Sequence, residues 1–257
     1  MLYCDEGSGC TMNKKIIEVC CNSVADCITA QKAGADRIEL NNAVYLGGLT
    51  PTLQTLLLAK QHVDIPIVVM IRPRGGGFSY SPLEIEQMKL EAISLLDAGA
   101  DGIVFGFLNN DKTIDKQTTK EMVDIAHRYC KEAIFHRAID VVEDMAKGIE
   151  DLIDCNVDRI LTSGGHATSH EGMHKLKALF DSYKNKIEFC VGAGVHEDNI
   201  KEIYDTTGIH QLHGSFKMWF EDPTTQGPDV SYAYSDSGSY EGVSKIRIQK
   251  AKKALNQ

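Results

Sequence analysis

Short runs of β-branched and apolar residues recur along the chain at residues 16–20, 37–40, 66–71, 102–105, 133–136, 159–162, 187–191 and 209–213. Between them the apolar positions change period. Val24, Ala25, Ile28 and Ala30, or Ile85, Met88, Ala92, Leu95 and Leu96, fall on one face of a helix. Strands alternating with helices in this way predict right-handed βαβ units and a parallel sheet. A degenerate repeat sharpens the prediction. Ala33-Gly34-Ala35-Asp36-Arg37-Ile38-Glu39-Leu40 is echoed by Ala98-Gly99-Ala100-Asp101-Gly102-Ile103-Val104-Phe105 and by Cys155-Asn156-Val157-Asp158-Arg159-Ile160-Leu161-Thr162. It returns more faintly at Thr207-Gly208-Ile209-His210-Gln211-Leu212. Each copy reads as a helix end capped by Gly or Asn and followed by an even-numbered strand. Eight units with a quarter-barrel repeat predict a single (β/α)8 TIM barrel over residues 16–257. Residues 1–15 are read as a disordered tail, residues 221–240 as a surface loop, and Glu241 onward as a C-terminal helix.

Chemistry in such barrels gathers at the C-terminal ends of the strands. Side chains alternate along a strand, so Ile17, Val19, Ile38 and Leu40 are expected to face the helices. That leaves Glu18, Cys20, Arg37, Glu39, Asn41 and Met70 pointing inward. The strand ends add Arg72-Pro73-Arg74-Gly75-Gly76, His136-Arg137, Ser163-Gly164, Gly192-Ala193-Gly194 and His213-Gly214-Ser215. Inward charges cost several kcal/mol unless paired, and a barrel built only for stability would carry Val or Leu there. Glu18, Glu39 and His136 are therefore candidate proton-transfer groups. Equally, the two acids could pair with Arg37 or Arg72 in an interior ion network, and His136 could be satisfied by a carboxylate. Arg72, Arg74 and Arg137 are candidates for gripping an anion bidentately, the alternative being hydrogen bonds to nearby loop carbonyls. Backbone N–H groups at Ser163, Gly164, Gly192 and Gly194, with His213 and Ser215, are candidates for cradling a phosphate or carboxylate. No lysine lies in an expected strand, which argues against Schiff-base chemistry.

Composition narrows the classes. With 43% hydrophobic and 25% charged residues the chain is expected to be globular. A net charge of −9 argues against nucleic-acid or anionic-membrane partners, and no apolar run approaches a membrane span. The 8 cysteines include no Cys-x-x-Cys pair. Reduced thiols in a cytoplasmic protein are the expectation.

Several blocks resemble one known family: Glu18-Val19-Cys20, Gly47-Gly48-Leu49-Thr50-Pro51, Met70-Ile71-Arg72-Pro73-Arg74-Gly75-Gly76, Phe135-His136-Arg137-Ala138 and His213-Gly214-Ser215. These are similar to the CutC copper-homeostasis proteins, over about residues 16–217. The resemblance implies a cytoplasmic TIM barrel, a homodimer or homotetramer, and a role in handling copper. It implies Cu(I) held by one Cys at the end of the first strand and another at the end of the second. Here those positions are Cys20 and Asn41, and Gly192-Ala193-Gly194 and Phe216-Lys217 also depart from the family pattern. Two readings follow. One is a copper-homeostasis protein with Cu(I) at Cys20, and the other is an enzyme acting on a small anionic substrate.

Overall fold

The computed structural model describes residues 14–257, so most of the expected tail, with Cys4 and Cys10, lies outside the described residues. Eight parallel strands close into a barrel: β1 (Ile16–Cys21), β2 (Arg37–Leu40), β3 (Ile67–Met70), β4 (Gly102–Phe105), β5 (Glu132–Phe135), β6 (Arg159–Thr162), β7 (Glu188–Val191) and β8 (Gln211–Gly214). Closure is completed by β1, which pairs with β2 at Glu18–Arg37 and with β8 at Glu18–His213. The helices are α1 (Val24–Ala33), α2 (Leu53–His62), α3 (Pro82–Asp97), α4 (Lys116–Arg128), α5 (Met145–Asp154), α6 (Ser169–Tyr183), α7 (Ile200–Thr207) and α8 (Lys245–Leu255). The expected (β/α)8 barrel is the fold observed.

The repeat has a structural job. Asp36 accepts the Ile17 N–H at 3.1 Å and donates its own N–H to Ile17 O. Asp101 does the same with Ile67, at 2.9 Å, and Asp158 with Ala133, at 2.8 Å. Each repeat therefore ties the start of an even strand to the start of the odd strand before it, satisfying backbone donors at the barrel's lower edge.

Apolar packing is divided between two places. The large core lies between strands and helices and takes Ile17, Val19, Ile38, Leu40 and their counterparts on the other strands. Inside the barrel the buried apolar cluster comprises Val68, Met70, Val104 and Ile134, from strands β3 to β5. Strands β1, β2, β6 and β8 instead send in Glu18, Arg37, Glu39, Arg159 and Gln211, all buried. The barrel interior is thus half hydrocarbon and half ionic.

After β8 the chain departs from a plain loop. β9 (Lys217–Phe220) and β10 (Tyr240–Val243) pair antiparallel and bracket residues 221–239, and α8 starts only at Lys245 behind the Ser244 cap. Aromatic pairing holds this excursion together: Tyr45 stacks on Tyr234 at 5.1 Å and Phe220 on Tyr240 at 5.5 Å. Among the described residues no helix is long and apolar enough to cross a membrane.

Candidate functional site at the barrel mouth

Glu18 anchors the interior network. Its carboxylate accepts from Arg37 Nε and from His213 Nδ1 at 2.8 Å, and Arg159 Nη2 lies 3.9 Å away. Burial works to raise the Glu18 pKa, but Arg37, His213 and Arg159 together hold it well below the ordinary carboxylate range. Arg37 also donates to Gln211 at 2.6 Å, and Arg159 lies 2.8 Å from Glu132. Glu18 is therefore ionised and spoken for, one layer beneath the mouth.

Above it lies a cavity of about 300 Å³ lined by Cys20, Glu39, Asn41, Met70, Arg72, Phe78, His136, Arg137, Leu161 and His213. Cys20, Glu39 and His213 each offer a ligand atom, all within 4.8 Å of one another. Asn41 supports two of the three: its amide donates to Glu39 Oε2 at 2.8 Å and to Cys20 Sγ at 3.4 Å. Burial, with Glu18 nearby, raises Glu39 above the usual carboxylate range. Burial also raises the Cys20 thiol. Burial alone would lower His213, but Glu39, Cys20 and Glu18 outweigh it and hold the imidazole well above its ordinary value. With Nδ1 engaged by Glu18, the Nε2 of His213 is directed to the Glu39 side, 3.9 Å from Oε2.

The opposite wall is a donor wall. Arg72, 5% exposed, gives Nη1 to the carbonyls of Leu46 and Gly48 and Nη2 to that of Gly76 at 2.7 Å. The loop reaches it because Gly48 sits at φ +85°, and a Cβ there would fall 2.4 Å from Asn41 Oδ1. His136 is equally buried. Its Nδ1 accepts from Ala138 N–H at 3.1 Å, while burial and then Arg72 depress its pKa to about 3, so the ring is neutral.

Other residues singled out in the sequence lie elsewhere. Arg74 turns outward to Glu84 on α3 at 2.5 Å and to Ser79 O. Ser215 lines a small neighbouring recess beside Asn22 and Lys217. Gly194 gives its carbonyl to Asn199, and Gly192 packs closely on Leu161 and His213. Ser163 and Gly165 N–H groups, at 3.1 and 3.0 Å, embrace the carboxylate of Asp140, which also takes Thr162 Oγ1–H at 2.6 Å and Arg137 Nε at 2.8 Å. That cradle is filled from within by the protein's own anion.

Two structural residues escaped the sequence reading, Asp140 and Arg159. The Arg159 signal was present, since Asp36-Arg37-Ile38 and Asp158-Arg159-Ile160 are copies of one repeat and place their arginines at one depth around Glu18.

The chain's relatives agree with this architecture. The CutC family model matches residues 15–218. A family protein CutC of Treponema denticola is 40% identical over 243 residues, covering 93% of this chain and 98% of that one. A human copper homeostasis protein cutC homolog is 39% identical, covering 81% and 76% of the two chains. The crystal structure of a CutC protein from Streptococcus agalactiae superposes with a TM-score of 0.74 at 31% identity, over 78% of this chain and 98% of that one. A thiamine phosphate pyrophosphorylase from Pyrococcus furiosus, at 14% identity and TM-score 0.56, shares the fold alone. Sequence blocks, closed barrel and matched relatives converge on one conclusion: the chain belongs to the CutC family.

Proposed function

We propose that the protein handles copper, in a reducing cytoplasmic compartment, and holds one copper ion at the barrel mouth on Cys20 and His213, with Glu39 as the third donor. The observation that carries this reading is the convergence of a thiol, an imidazole and a carboxylate in a cavity wall, with the imidazole oriented from behind by Glu18. A carboxylate behind a ligating histidine is the usual way to fix its tautomer and raise its basicity. The donor set fits: a thiolate suits Cu(I), and an imidazole suits copper generally. Asn41, which stands where a second cysteine would be, contributes by hydrogen-bonding Cys20 and Glu39 rather than by ligation. The unpaired state of Cys20, Cys21, Cys27, Cys130, Cys155 and Cys190 supports the reducing compartment.

Anaerobic Cu(I) titration against a competing chelator tests the proposal. The full chain is expected to take up one equivalent, and Cys20→Ser to bind at least about 100-fold more weakly, since losing even a hydrogen-bonding partner of a ligand costs about 10–100-fold. Equal affinity in the two proteins would overturn it. Affinity should also climb with pH. Burial raises the thiol and the surrounding acids raise the imidazole, so both carry protons near neutral pH and binding releases two. The apparent Kd should then fall by about 100-fold per pH unit. A pH-independent Kd would exclude this pair as ligands.

A further inference from the structure

The barrel mouth contains a positive charge that the protein does not balance. Among the described residues no carboxylate pairs with Arg72. Its partners are three carbonyls and the Phe78 ring at 5.1 Å. Its Nε is buried with no acceptor. Carbonyl dipoles offset only part of what burying an ion costs. The second guanidinium, Arg137, is already neutralised by Asp140. Beside Arg72, across the Phe78 ring that touches both, stands His136 at a centroid distance of 4.9 Å. Because Nδ1 of His136 accepts a backbone N–H, its proton sits on Nε2, and that atom is also buried without a partner.

Across the cavity the imbalance has the opposite sense. Glu39 Oε1 and Asn41 Oδ1 are buried acceptors with no donor. Unsatisfied buried polar atoms are rare in folded proteins, and here four of them belong to residues lining one cavity. Its volume of about 300 Å³ sits at the lower end of small-ligand sites.

We infer that this cavity binds a small hydroxy or amino acid, with the carboxylate received by Arg72 and the His136 Nε2–H and the hydroxyl or amino group received by Glu39 and Asn41. One uncompensated cation and one neutral N–H match a monoanion. A phosphate dianion would need a second free cation, and Arg137 is not free. The inference does not depend on copper: Arg72 and His136 on the far wall carry the carboxylate, and Glu39 is the one residue shared with the proposed copper donors.

Thermal unfolding of the full chain with a copper chelator present, in glycolate, L-lactate or D-glycerate, tests it, with glycerol and inorganic phosphate as comparators. At about 100 times its Kd, a fitting acid is expected to raise Tm by about 5 °C. Arg72→Met should abolish the rise. Since Arg72 also ties down a loop, Leu161→Phe serves as a second variant, narrowing the cavity without touching its charges, and it should weaken binding at least tenfold. The chelator keeps copper off the protein, so the shift reads this site whether or not the copper proposal holds. No shift with any of the three acids, an equal shift in both cavity variants, or a larger shift with phosphate would overturn the inference.

Discussion

Glu18→Gln should destabilise the protein by about 3–5 kcal/mol, the cost of removing one member of a buried ion network. The substitution preserves shape, so the effect isolates charge. Wild-type Glu18, 3% exposed, serves Arg37, His213 and Arg159 together. Without its charge Arg37 keeps only the neutral Gln211 as a side-chain hydrogen-bond partner, and Arg159 keeps the rim acids Glu132 and Glu188, which are about half exposed. Two cations would then sit in the barrel interior with too little anion to balance them. Urea unfolding is the measurement, and the midpoint should fall with little change in slope, since the surface exposed on unfolding is the same. Copper affinity should weaken about tenfold in the same variant, because His213 loses the partner that orients it. A stability loss below about 1 kcal/mol would mean that the network is not what holds the interior together.

Gly172→Ala should cost about 3 kcal/mol, against the ordinary gain of up to about 1 kcal/mol when a helical glycine becomes alanine. The reason is close approach. A Cβ at Gly172, in the first turn of α6, would lie 1.9 Å from the carbonyl oxygen of Ser163. The oxygen belongs to backbone and the backbone alone fixes the Cβ, so no rotamer change relieves the clash. Either α6 tilts away or the loop after β6 moves, and that loop carries the Ser163 and Gly165 N–H groups that hold Asp140. Gly77→Ala is the matched control, since a Cβ there meets nothing within 4 Å. Comparable stability of the two variants, by urea unfolding, would refute the close-approach account.

The strand positions were legible in sequence because their signals are local: a two-residue alternation, a glycine-capped helix end, a short apolar run. Observed β2, β4 and β6 coincide with the expected segments, and the others shift by a residue or two at their ends. Inward orientation of Glu18, Cys20, Glu39 and Met70 follows from the same alternation. Partnership was not legible. Arg72 and Arg74 share one motif and an identical local signature, yet Glu84 on α3 draws the second out of the mouth while loop carbonyls retain the first. The glycine turn after β6 carries every mark of an anion cradle, and only the path of the chain after β5 shows that Asp140 occupies it. The hairpin of β9 and β10 joins residues far apart in sequence across a polar excursion, so no short-range turn announces it.

The aspartate ties at Asp36, Asp101 and Asp158 have no equivalent in the last repeat. There His210 takes the corresponding position, and its Nδ1 is buried without a partner. The ring is then a chain of four links, three latched and one merely closed, and breathing should begin at the unlatched link. The latches all lie at the lower edge, so it is the floor beneath β8, not the mouth, that should give first.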